Sequence, residues 1–221
     1  AILSDQDPGD ADSGLYYLLR ALEPAGPNNG RLDVRVISPE DGADALKTAP
    51  EAAILLKHGP GTPELGQALV AYVEAGGGLL WFAGRGYDER LESSILKASG
   101  TDGFLPFRPG TALRLPEAQE GFHLEPVKTD RPPFSVFRSP ESGDLALPEF
   151  RACYTTRHVV SRGEVLARFD IGHIALARTG YGNGVLLMAN FTPDPDVTDW
   201  VRRPTFVPFL HECLASLREG A

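Results

Sequence analysis

The chain has 221 residues, 42% of them hydrophobic and 23% charged, with a formal net charge of −9. That composition suits one globular domain with a substantial core. The acidic balance, with no Lys/Arg cluster, argues against nucleic acid or an anionic membrane surface as partner, since both need cations that replace counterions. No run approaches the roughly eighteen apolar residues of a membrane span, and no basic, apolar, small-residue signal opens the sequence.

The opening "AILSDQDPGD" reads as a strand caught partway through, and the single methionine is Met188. The expectation is a piece of a longer protein, with any membrane anchor outside it. "SGLYYLLRALEP" (13–24) carries apolar residues at helical spacing, with Ser13 as N-cap and Pro24 as stop. "LDVRVIS" (32–38) alternates as a strand does, and "AAILLKH" (52–58) is continuously apolar, as a parallel strand covered on both faces should be. "TPELGQALVAYVEAGGG" (62–78) is a helix with Thr62 as cap, Pro63 in its first position and a glycine end. "LLWFAG" (79–84) is the next strand and "DERLESSILKASG" (88–100) the next helix. This alternation predicts a parallel sheet with helices on both faces.

From about residue 101 to 160 the texture becomes Pro- and Gly-rich without helical period, which predicts an inserted, loop-rich β region. Strands resume at 164–170, 173–179 and 184–191, and a helix over 203–220 closes the single domain, 1–221. Cys153 and Cys213 have no metal or redox spacing. Two buried thiols are the expectation, with a disulfide as the alternative.

The stretch "GGGLLWFAGRGYDERL" is strand, glycine turn and helix, the elbow that lifts a nucleophile in many α/β enzymes. Its turn residues are Ala83, Gly84, Arg85 and Gly86, so the elbow offers no Cys or Ser. A triad also needs a His with an acidic partner, yet "TPDPDVTDW" after the last core strand contains no His. His211 and Cys213 are two apart on a helix and face different ways. No catalytic residue is therefore assigned.

The order of elements resembles class I glutamine amidotransferase-like domains, whose cysteine sits on such an elbow and whose His pair follows the last core strand. The resemblance implies a flavodoxin-like three-layer sandwich with a mostly parallel sheet. "YGNGVLLMANFTPDPDVTDWVRRPTFVPFLHECLASL" (181–217), with "LSDQDP" (3–8) and "AYVEAGGGLLWFAG" (71–84), is similar to a group of bacterial membrane-anchored proteins related to the aerotolerance (Bat) proteins. These have a pair of N-terminal transmembrane helices and often a von Willebrand factor A domain. The glycine-strand motif also occurs in trehalose-utilisation-type and galactosidase trimerisation domains. The likeness covers both ends of the chain and leaves 101–160 unmatched. It implies an extracytoplasmic domain on a membrane-anchored parent, and it carries over neither a catalytic residue nor a cofactor.

Ligands of open α/β sheets bind where the strand carboxyl ends converge. That rim should carry Asp5, Asp7, His58, Arg85, Tyr87 and Asp88, with Asp194 and Asp196 beside them. Two readings follow: a contact surface for a protein partner, or a site for a small polar ligand or cation, extending to a cryptic hydrolase. Carboxylates suit hard cations, but "DPDPDVTD" lacks the glycine and distant Glu of an EF-hand loop, so no metal site is assigned. The plainer reading is that Asp and Gly stand at strand ends because turns require them. "GRGYD" as an anion nest competes with a tight turn in the same way. His123, His158 and His173 lack ligand spacing, and Trp200 is expected to plug the seam before the last helix. The loops of the inserted region, with Phe134 and Phe137, are the competing contact surface.

Overall fold

The structure is a computed structural model, and it describes residues 1–23, 32–84, 87–100, 103–116, 118–159 and 163–218. Nine strands are formed among them: β1 (Ile2–Leu3), β2 (Val36–Ile37), β3 (Ala52–Leu55), β4 (Gly78–Phe82), β5 (Phe107–Arg114), β6 (Ala152–Val159), β7 (Glu164–Arg168), β8 (Ile174–Tyr181) and β9 (Gly184–Ala189). Seven of these make one sheet in the order β2-β1-β3-β4-β9-β8-β7. The five from β2 to β9 are parallel, and β8 and β7 continue the sheet antiparallel. The second sheet is the antiparallel pair β5–β6.

Both faces are covered, so the central strands carry side chains that are apolar without alternation. Every residue of β4 is buried, as are Ile54, Leu55 and Leu56, which agrees with the sequence expectation. Helix α1 (Gly14–Leu22) packs on one face with α5 (Phe206–Arg218). Helices α2 (Gly42–Leu46), α3 (Pro63–Glu74) and α4 (Glu89–Ser99) cover the other. The caps fall where the sequence places them: Ser13 accepts from Tyr16 N, Thr62 from Leu65 N and Asp88 from Arg90 N. Gly100 ends α4 at φ 63, a left-handed conformation that glycine adopts without strain.

The expected strand bounds 1–5, 32–38 and 52–58 are too long. The ladder stops after Leu3 and Leu55 because the backbone beyond them turns to bond across the sheet end, where His58 N donates to Asp5 Oδ1 at 2.8 Å. The inserted region also behaves differently from an exposed loop surface. Phe122, Phe134, Phe137, Leu145 and Phe150 pack into the core on the α1/α5 face, so Phe134 and Phe137 are not available as contacts. Trp200 plugs the seam as expected: it is buried, donates from Nε1 to Thr205 Oγ1 at 2.9 Å, and lies 4.3 Å from the Phe209 ring. Cys153 and Cys213 are buried and free. No helix among the described residues is long and apolar enough to cross a membrane.

Candidate functional site

The helices that follow β1 and β3 pass to opposite faces, so a crevice opens between the carboxyl ends of these two neighbouring strands. Such switch points are where open α/β sheets bind ligands. The loop after β1 supplies Asp5 and Gln6, the loop after β3 supplies His58, and the segment after β9 supplies Asp194. Asp5 spans the crevice, accepting from His58 N at 2.8 Å and Gly59 N at 2.5 Å.

Asp194 lies at the centre and is 1% exposed. Its Oδ1 accepts from Gly14 N at 2.8 Å, in the first turn of α1, and from the Gln6 amide at 3.0 Å. Its Oδ2 lies 3.0 Å from Nε2 of His58, whose side chain is 34% exposed. Burial opposes the charge on Asp194, but the contacts with His58 and the Gly14 N–H prevail and hold its pKa below the usual carboxylate value. Gln6 is fixed by Leu15 N, which donates to its Oε1 at 2.8 Å, and its amide nitrogen lies 2.7 Å from the same His58 Nε2. An N–H and a carboxylate oxygen thus compete for one ring nitrogen, and either tautomer leaves one contact unfavourable. The N-terminus of α1, where an anion would be welcome, is already filled by the protein's own carboxylate.

The elbow is closed by the same segment. A Cβ on Gly84 would stand 2.7 Å from Thr192 N and 2.8 Å from the Phe191 carbonyl carbon. Only glycine fits there, and Ala83 beside it is fully buried. Neither position presents a side chain to solvent. Arg85, with Gly86 and the suggested anion nest, lies outside the described residues.

On the α3/α4 face Lys57 is 1% exposed, donating to Gly59 O at 2.8 Å with Asp88 Oδ2 at 3.8 Å. Burial lowers the Lys57 pKa, opposed by Asp88 and Asp5. Asp88 also accepts from Gly61 N at 2.5 Å. Burial pushes its pKa up, but the Gly61 and Arg90 N–H groups and Lys57 outweigh this and leave it lowered. Tyr87 stacks on Trp81 with centroids 6.2 Å apart, meets Tyr154 edge-on at 5.5 Å, and bonds the Glu92 carboxylate through its hydroxyl. Burial raises the Tyr154 pKa.

Of the residues expected at the rim, Asp5, His58 and Asp194 come together, and Asp88 joins the same loop through Gly61. Asp7 caps its own turn by accepting from Gly9 N at 2.8 Å. Asp196 pairs with Arg114 at 2.8 Å beside the inserted region. Gln6 and Lys57 are the rim residues that sequence reasoning missed. A lysine ending an otherwise apolar strand is a readable signal, whereas nothing local marks Gln6. Among the described residues no group of three or more His, Cys, Asp or Glu is placed to hold a metal ion. Burial raises the thiol pKa of Cys153 to about 12 and that of Cys213 well above its ordinary value, so neither is a thiolate at neutral pH.

No family model matches the chain, and no curated protein matches it. Among solved structures, the fold is similar to that of two cytoplasmic proteins of Salmonella typhimurium. STM3548 has 14% identity and a TM-score of 0.69, with 98% of this chain and 97% of that chain covered. STM1381 has 15% identity and a TM-score of 0.69, with 98% of each chain covered. The β-galactosidase of Bacillus circulans sp. alkalophilus matches at 14% identity and a TM-score of 0.58, covering 97% of this chain but 30% of the enzyme. At these identities the likeness is one of fold.

Proposed function

We propose that this chain is a non-catalytic, amidotransferase-like module that works by contact with a protein partner. The observation that carries the reading is the closure of both chemically useful places by the segment 191–194. The Phe191–Thr192 backbone packs on Gly84 at the elbow, and Asp194 fills the switch-point crevice. The parallel strand order β2-β1-β3-β4-β9 supports a flavodoxin-like architecture, whose order is 2-1-3-4-5. The closing motif around Trp200 supports an extracytoplasmic domain of a membrane-anchored parent in the Bat-related group; fractionation of cells expressing the native gene tests that placement. The test of the module reading is glutaminase and peptidase assay of the purified domain. Turnover that disappears in Cys153→Ala or Cys213→Ala would sink it.

A second reading, small polar ligand binding or cryptic hydrolysis at the rim, draws on the shifted titrations of Lys57, Asp88, Asp194 and Tyr154. The hydrogen bonds and burial already described account for each of these shifts, so the contact reading is preferred.

A further inference from the structure

An open groove of about 630 Å³ lies between the end of β5 and the segment after β9, lined by Arg114, Leu115, Pro116, Arg151, Pro195 and Asp196. Its size falls within the range of ligand clefts, roughly 300–1,000 Å³. Its floor is rigid, because three extended backbones are tied side by side. Leu115 N donates to Arg151 O at 2.8 Å, and Arg151 N donates to Val197 O at 2.8 Å.

The two arginines are held differently. The Arg151 guanidinium is fixed by Gln119 O at 2.9 Å and by the Glu149 carboxylate. Arg114 has a 51% exposed side chain and meets one carboxylate, Asp196, itself 44% exposed. An exposed pair of that kind is weak, so another carboxylate can replace Asp196 on Arg114 at little cost.

We propose that this groove recognises an acidic, extended peptide segment of a partner protein, with Arg114 taking the ligand carboxylate and Asp196 standing in for it when the groove is empty. The proposal rests on the reading of the chain as a contact module and gives that contact a chemistry. A guanidinium suits carboxylate recognition because its planar N–H fork can pair with both oxygens. A chain rather than a free anion is the fitting occupant, since one exposed ion pair binds weakly and the remaining lining is aliphatic: Leu115, Pro116 and Pro195. The charge of −9 repels acidic partners from most of the surface, which makes a guanidinium-bearing groove selective for where such a segment can land.

The test is fluorescence anisotropy with a labelled, capped hexapeptide of alternating Glu and Pro, its Gln–Pro counterpart serving as neutral control. The Glu peptide is expected to bind at least about tenfold more tightly than the Gln peptide, and Arg114→Gln to remove that difference. Asp196→Asn should tighten binding several-fold, because it removes the internal competitor. Both side chains are about half exposed, so both variants should fold, and a thermal melt checks this. Equal binding of the two peptides, an unchanged Arg114→Gln, or weaker binding by Asp196→Asn each overturns the proposal. Those outcomes leave the contact reading intact if the domain also shows no turnover; turnover would remove that reading whatever the peptides do.

Discussion

Replacing Asp194 by Ala should cost more than any other single side-chain change at the rim. The carboxylate is 1% exposed and receives Gly14 N, the Gln6 amide and His58 from three separate parts of the chain. Its removal leaves buried donors without acceptors, each worth about 1–3 kcal/mol and not additive. Breaking a buried charged pair by deleting one partner typically costs about 3–5 kcal/mol, and that is the loss expected here. Asp194→Asn keeps an acceptor for Gly14 N and should lose about half as much. The pH dependence has a definite sign. The folded pKa of Asp194 is lowered, so its stabilisation is fully present above the unfolded carboxylate value and disappears as pH falls through the lowered one. Urea melts of wild type and Asp194→Asn across that acid range should converge as pH drops. Sulfate should also restore part of the stability of Asp194→Ala, by entering the vacated helix terminus, and should do less for wild type. A loss below about 1 kcal/mol in Asp194→Ala, the value of an exposed pair, would refute the reasoning.

Leu80→Ala, at the centre of β4 and fully buried, should lower stability by about 2–5 kcal/mol in a denaturant melt, and a change below about half a kcal/mol would place β4 at an edge. Gly84→Ser should cost about 1–3 kcal/mol through overpacking against Thr192 and create no hydrolase activity, as read by melting and ester turnover. Cys153 and Cys213 should resist alkylation in the native protein and react fully in urea; rapid native labelling of either would contradict their burial.

The central elements were legible because their signals are local. Leu79–Phe82 is apolar on both faces, as only a strand covered twice can be, and Ser13, Thr62 and Asp88 announce their helices with side-chain caps. The ends of β1 and β3 were not legible, because the chain leaves the ladder there to satisfy Asp5 rather than for any reason of propensity. The inserted region read as polar loops, yet its phenylalanines supply part of one core, since isolated aromatics without period give no sign of the face they cover. The rim cluster joins residues 136 apart for His58–Asp194 and 188 apart for Gln6–Asp194, separations across which no spacing rule operates. Its members were visible as rim residues, but their convergence into a plug was not.

Covalent labelling with a fluorophosphonate and with an α-chloroketone mimic of glutamine, read by intact mass, tests most directly the claim that the elbow and crevice are closed. Such probes report an activated nucleophile whatever its natural substrate. The account predicts an unmodified mass after exposure of the folded domain to either probe. A single stoichiometric adduct, formed only in the folded state and mapping to the rim, would contradict it.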